Sequence, residues 1–140
     1  METLRRGVVG VLVQEGRLLV ITRSQFVRAP GKSCFPGGSI EPGETAMQAV
    51  VRELKEEVAL DVVAKRELWR KVTPWKIDLS WWLVECSQTE QICPAPAEVE
   101  SVSWLCPDEI GQLENLLPSN HEFLSAWRQG IFEIEGLRPN

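Results

Sequence analysis

An α/β fold, with a mixed β-sheet flanked by helices and one domain over residues 1–140, is predicted by three observations. Short segments rich in β-preferring residues alternate with helical patterns; one amphipathic stretch dominates the middle of the chain; and neither a repeat nor a linker interrupts the 140 residues, which are enough to bury a core. In chain order, Gly7 to Val13 and Arg17 to Thr22 are expected as two strands joined at Glu15-Gly16. The principal helix is expected from about Thr45 to Val58, opened by the tight turn Glu41-Pro42-Gly43 and a capping box of Thr45 with Gln48. Val62 to Val72 is extended, Pro74 breaks it, and Ile77 to Cys86 is a further strand. Pro94 and Pro96 make Ser87 to Ala97 a loop, and Val99 to Leu105 resumes the sheet. Two helices close the chain. Pro107 suits the first position of a short one running to about Leu113, and Pro118-Ser119-Asn120 precedes a longer one running to about Gln129, with Gly130 at its end.

Composition narrows the function classes. A net charge of −5 without a basic run argues against gripping polymeric DNA or RNA, yet a free nucleotide remains compatible, since metals and one or two placed cations can neutralise its phosphates. No run of about 18 apolar residues exists for a membrane span. Arg5-Arg6 ahead of Gly7 to Val13 superficially resembles a signal peptide, but the apolar run is short and stops at Gln14-Glu15-Gly16, so the expected location is the cytoplasm. Cys34, Cys86, Cys93 and Cys106 form no C-x-x-C pair and are read as reduced, buried thiols.

The middle helix carries the chemistry. Glu53, Glu56 and Glu57 share about 100° of arc at 3.6 residues per turn, while Met47, Val50, Val51, Leu54 and Val58 form an apolar stripe centred roughly 110° away. Acidic residues on a helix are most often solvated surface. Such a surface usually interleaves basic partners, however, whereas here Lys55 points away from the arc and only Arg52 flanks it. Converging carboxylates ask for a hard divalent cation, Mg²⁺ or Mn²⁺. Gly37-Gly38, lacking Cβ atoms, lets backbone groups approach a ligand.

Gly38, five residues, Glu44, seven residues and then Arg52-Glu53-Leu54-Lys55-Glu56-Glu57-Val58-Ala59-Leu60 resemble the Nudix box at every position except Ala59. The family has glycine there, where the helix ends in a left-handed residue, so Ala59 implies a cost of about 1 kcal/mol or a slightly different turn. Outside the box, Ile21-Thr22-Arg23, Phe35-Pro36-Gly37-Gly38, Leu83-Val84-Glu85, the Glu98 to Trp104 spacing and Leu117-Pro118-Ser119-Asn120 resemble the MutT type. The resemblance implies a Nudix-type α/β/α sandwich and a metal-dependent pyrophosphohydrolase acting on a nucleoside diphosphate linked to a group X. A nucleoside triphosphate, purine by preference, is the expected substrate; ADP-ribose or a dinucleotide is the alternative. A non-catalytic nucleotide-binding module is the alternative of another class, although such modules tend to lose box carboxylates and this chain keeps them all.

The same resemblance assigns Glu53, Glu56 and Glu57 to metal, with the Gly37 carbonyl as a further ligand and Arg52 orienting Glu53. Glu98 is expected as the general base or a late metal ligand, with Glu53 as rival base and Glu100 as fallback if the loop register shifts. Glu44 is read as structural support for the helix start. On the substrate side stand Arg23 for phosphate, Phe35 beside the base, Gly37 and Gly38 for close approach, and Asn120 for the purine edge. Each also has a plainer reading, Arg23 as surface charge, Phe35 as core and Asn120 as helix cap. Trp75, at a proline-marked turn, is the tryptophan expected in the pocket, and Trp81 and Trp82 must face opposite ways. The expected partner is a small nucleotide, and the expected assembly a monomer or homodimer.

Overall fold

The computed structural model describes residues 4–139; residues 1–3 and 140, the ends of the expected 1–140 domain, lie outside the described residues. Its elements are β1 (Arg5–Gln14), β2 (Arg17–Arg23), β3 (Ser33–Cys34), β4 (Gly37–Ser39), α1 (Ala46–Val58), β5 (Val63–Val72), β6 (Ile77–Glu85), β7 (Val99–Leu105), α2 (Pro107–Gly111) and α3 (Pro118–Arg128). The sheet runs β3-β2-β1-β6-β5, with β4 added to β1 and β7 to β2. Strand β1 pairs in parallel with β6, and the other strand pairs are antiparallel, so the sheet is mixed.

Alternation along the strands builds two cores. Val9, Val11, Leu18, Val20, Trp81 and Leu83 face one side, where Ile110 of α2 and Phe123, Leu124 and Trp127 of α3 cover them. Val8, Leu12, Leu19, Ile21 and Val84 face the other side, under Val50, Leu54 and Val58 of α1. Gly10 permits that contact, because a Cβ there would lie 2.6 Å from a Leu54 methyl carbon. Helices on both faces of a mixed sheet make the predicted α/β/α sandwich. Trp81 packs in the first core and Trp82 against the second, on opposite faces. Among the described residues no helix is long and apolar enough to cross a membrane.

Local expectations held where side-chain chemistry decides the backbone. Thr45 caps α1 and shares the reciprocal bonds of a capping box with Gln48. Other expectations need correction. Met47 is 47 % exposed, because the first turn of α1 stands clear of the sheet; the buried face is Ala49, Val50, Leu54, Glu57 and Val58. One of the three acidic residues is therefore part of the core face. Strands β3 and β4, two and three residues long, were not foreseen, being too short to show a period. Helix α2 ends at Gly111 rather than Leu113. Helix α3 begins at Pro118, so Leu117 is its N-cap and Asn120 lies inside the first turn, not at the cap. Of the free cysteines only Cys34 is buried; Cys93 is exposed.

Ala59 keeps the left-handed geometry that glycine would adopt, with φ 61° and ψ 27°, and the N–H of Leu60 reaches back to the Leu54 carbonyl at 3.3 Å. The strained residue is retained, not avoided. Ala59→Gly is expected to stabilise the protein by about 1 kcal/mol, roughly 3 °C in Tm, readable in thermal melts; an unchanged or lower Tm would show that the added chain entropy of glycine cancels the relief.

Candidate active site

Four pieces of chain meet at the C-terminal half of α1. Strand β4 runs along β1, with Gly38 opposite Val8 and Gly37 opposite Val9, which brings both glycines under α1. A Cβ on Gly38 would collide with the Glu53 carboxylate, and one on Gly37 would strike the Val8 carbonyl. Only glycine fits at either position. The Gly37 N–H donates to Glu57 Oε1 at 2.8 Å, fixing one carboxylate oxygen and leaving Oε2 available. The loop before β7 closes the opposite side, with the N–H of Cys93 on the Val58 carbonyl and that of Ala95 on the Glu57 carbonyl, both at 2.9 Å.

Arg52 organises the exposed flank. Its Nη1 donates to Glu53 Oε1 at 2.9 Å and to Glu56 Oε2 at 3.2 Å, and its Nη2 donates to the Ser39 carbonyl. Glu44 grips the same guanidinium through Nε at 2.7 Å and Nη2 at 2.9 Å. Its role is thus to hold Arg52, beyond the expected support for the helix start. The paired guanidinium lowers the Glu44 pKa to about 2.

Burial does the opposite to the two inner carboxylates. Glu57, only 5 % exposed, has its pKa raised to about 8, first by loss of solvent and then by the charges of Glu53 and Glu98, against the pull of the Gly37 N–H and Arg23. The pKa of Glu53 is also raised, chiefly by burial, with Glu56 and Glu98 adding to the rise and Arg52 opposing it. Glu98 therefore lies within electrostatic reach of both. Glu100 contributes to neither rise, and the pairing explains why: Thr22 stands opposite Ser101 but Arg23 opposite Val99, so Glu100 is the extra residue of a β-bulge. Ser24, which the sequence reading missed, anchors the loop by donating from Oγ to the Ala97 carbonyl at 2.8 Å and from its N–H to the Glu98 carbonyl at 3.0 Å. Nothing in a single serine codon position signals that role.

The expected substrate residues separate. Arg23 lies near Cys34 and Glu57, its Nε donating to the Arg28 carbonyl. Phe35, 3 % exposed, is a core ring set edge-on to Trp81 and Phe123. Its N–H donates to Asn120 Oδ1 at 3.1 Å, while Asn120 Nδ2 has only long contacts, 3.4 Å to Ser119 Oγ and 3.5 Å to the Leu117 carbonyl. Trp75 is 60 % exposed at the tip of the β5–β6 hairpin, not in a pocket.

A family model described as the NUDIX domain matches residues 1–127. The chain belongs to the Nudix family. Curated relatives include an NAD-capped RNA hydrolase NudC of Chromobacterium violaceum, 31 % identical over 89 % of this chain and 47 % of its own length. Another is an 8-oxo-dGTP diphosphatase of Escherichia coli, 41 % identical over 55 % of this chain and 63 % of its own length. The chain thus spans less than two thirds of either. Among solved structures, a MutT protein from Methanosarcina mazei Go1 superposes with a TM-score of 0.74 at 20 % identity, covering 92 % of this chain and 96 % of that one, which establishes the Nudix fold.

Nudix hydrolases generally use divalent metal ions, and the donors present here suit one: hard carboxylate oxygens, one of them buried on Glu57 with a single protein partner. Among the described residues, no three carboxylate, thiol or imidazole groups are yet gathered closely enough to share an ion. Glu53 and Glu56 are held by Arg52, and Glu57 by the Gly37 N–H. The pKa of Glu57, raised from 4.5 to about 8, sets the pH dependence: the protonated form favours the folded state, so stability is present below about pH 4.5 and lost as pH rises through about 8. In EDTA, Tm is expected to fall between pH 5 and 9. Added Mg²⁺ is expected to raise Tm more at pH 8 than at pH 5, because a metal takes the ionised carboxylate. A pH-independent Mg²⁺ effect on Tm would remove Glu57 from the ligand set.

Proposed function

We propose that this Nudix chain is a pyrophosphohydrolase that cleaves the diphosphate linkage of a nucleoside diphosphate joined to a further group X, in the first place a purine nucleoside triphosphate. The observation that supports this reading is the meeting of Glu53 and Glu57 at the glycine pair, where the Gly37 N–H holds Glu57, a Cβ on Gly38 would strike the Glu53 carboxylate, and the charge of Glu98 reaches both. Mg²⁺ or Mn²⁺ bound to Glu53, Glu56, Glu57 and the Gly37 carbonyl would supply the neutralisation of phosphoryl charge that such hydrolysis requires.

The chain's own residues account for the rest. Water attacks a phosphorus of the P–O–P bridge, the bridging P–O bond breaks with its electron pair leaving on the departing phosphate group, and the water proton passes to a carboxylate. Glu98 is assigned that proton. It is exposed, whereas Glu53 is engaged by Arg52. Arg23 approaches the site from β2 with a charge suited to the terminal phosphates. All box carboxylates are retained, which favours catalysis over a binding-only module.

The test is phosphate release with Mg²⁺ from a panel of nucleoside triphosphates, read with and without added inorganic pyrophosphatase, and from ADP-ribose and dinucleotides, read with and without a phosphomonoesterase, since cleavage of the latter yields two phosphomonoesters and no pyrophosphate. Nucleoside triphosphates are expected to yield phosphate only with pyrophosphatase present, and chelator is expected to abolish release. Absence of product from the whole panel would refute the reading. The base preference has its own test. Asn120→Ala is expected to destabilise the fold by about 1 to 3 kcal/mol, because the Phe35 N–H loses its buried acceptor, and to lower kcat/KM for purine nucleotides more than for pyrimidine ones, because Nδ2 no longer meets the base edge. Equal losses for both base classes would leave Asn120 with its structural role alone.

A further inference from the structure

Arg23, the cation assigned to phosphate, is held by the loop that follows it. Residues 24–32 fold back on the end of β2, so that the Gly31 N–H donates to the Arg23 carbonyl at 2.9 Å and the Arg23 N–H to the Lys32 carbonyl at 2.8 Å. The side chain is fastened as well, Nε donating to the Arg28 carbonyl, and the charge so placed acts on Cys34 and on Glu57. No Asp or Glu occurs between Glu15 and Glu41, so no acid within the loop competes with a phosphate for this guanidinium.

The loop does not hold that shape unaided. Ala29 sits in the left-handed region at φ 50°, where a residue with a Cβ is strained and stays only if its surroundings fix it. Ser24 ties the start of the loop to the Ala97 and Glu98 carbonyls. The far end is tied by Asn115, whose Nδ2 donates to the Gly31 carbonyl at 2.9 Å. Asn115 is itself firmly seated: its own carbonyl accepts from the Ser33 N–H and the Ser33 carbonyl accepts from the Leu117 N–H, both at 2.9 Å, beside a parallel bridge of Ser33 to Leu116. The same stretch leads into α3, where Asn120 holds the Phe35 N–H.

We propose that Asn115 is a positioning residue of the active site: by holding the Gly31 carbonyl it keeps the 24–32 loop in the shape that presents the Arg23 guanidinium to the substrate phosphates. It is assigned no contact with phosphate or metal and acts through Arg23 alone. Because Arg23 meets phosphate only in the proposed function, the inference rests on that reading.

The test is a double-mutant cycle on Arg23 and Asn115. Asn115→Asp keeps the shape and leaves the backbone bonds of residue 115 in place, but it turns an acceptor toward the Gly31 carbonyl in place of the donor. With a nucleoside triphosphate and Mg²⁺, this variant is expected to raise KM about five- to tenfold and to leave kcat within about twofold, as for lost binding that is equal in ground and transition states. Arg23→Ala is expected to lower kcat/KM by at least about tenfold, and adding Asn115→Asp to it is expected to cost less than about twofold more, since the residue being positioned is gone. Asn115→Ala, which removes the bond without adding a charge, is expected to show the same coupling and keeps the cycle readable if the aspartate variant fails to fold. Additive losses in the two backgrounds, or an unchanged KM for both Asn115 variants, would overturn the positioning role. The same cycle is to be read in the Kd of a nucleoside triphosphate with Ca²⁺ by calorimetry. Hydrolysis with additive losses defeats only the role of Asn115; coupled losses in Kd without hydrolysis of any nucleoside diphosphate derivative defeat only the proposed function.

Discussion

Glu57→Gln is expected to lower turnover at least a hundredfold and, in the absence of divalent metal above pH 8, to make the protein more stable than the wild type. The two effects have one origin. Glu57 lies on the core face of α1, 5 % exposed, beside Leu54 and Val58, where an ionised carboxylate lacks solvent and faces Glu53 and Glu98. Glutamine keeps the shape, and its carbonyl oxygen can still accept from the Gly37 N–H, but it cannot ionise. Activity therefore falls while the buried repulsion disappears. Paired measurements of kcat with Mg²⁺ and of Tm in EDTA at pH 8.5 check both halves. Full activity would exclude Glu57 as a ligand, and a Tm below wild type in EDTA would show that its charge is compensated in the folded state.

The second large effect separates two acids two residues apart. Glu98→Gln is expected to reduce kcat roughly a hundredfold or more with a modest change in KM, and Glu100→Gln to be nearly neutral, as for a group that acts mainly in the transition state. Glu98 adds to the pKa rise of both Glu53 and Glu57, and its backbone is tied to Ser24; Glu100 occupies the bulge opposite Thr22 and Arg23 and influences neither. Ser24→Ala, which releases the loop at Ala97, should weaken kcat in the same direction but less. Reversed effects for the two glutamates would assign the proton to Glu100. Silence at both positions would pass it to Glu53.

Much of the site was legible because helical geometry converts spacing directly into direction: Glu53, Glu56 and Glu57 could be placed on one arc, and Arg52 beside them, from 3.6 residues per turn alone. The capping box was legible for a similar reason, each partner being three residues from the other. Burial was not. Glu57 is enclosed by the β4 strand and by the Cys93 to Ala95 loop, both remote in sequence, and nothing local marks it as different from Glu56. The same holds for Trp75, whose proline-flanked turn suggested a pocket wall but stands at an open hairpin tip, and for Arg5 and Arg6, whose neighbours are decided by a strand pairing that crosses half the chain. Tertiary enclosure follows from what packs around a residue, which spacing along one element does not encode.

Strand β1 neighbours β2, β4 and β6, and only the first of these is close in sequence. The β1–β2 hairpin, turning at Glu15 and Gly16, can form early, whereas the parallel ladder of Arg5 to Leu12 against Ile77 to Val84 must wait for loop closure over half the polypeptide. The Cys93 to Ala95 loop that closes over Glu57 lies beyond β6 in the chain, so the enclosure of Glu57 belongs to the late part of assembly. Helix α1 can thus exist, capped and amphipathic, well before its acidic arc has anything to enclose it. During refolding, helical signal is expected to return ahead of catalytic competence, and the interval between the two is the time the chain needs to close its central ladder.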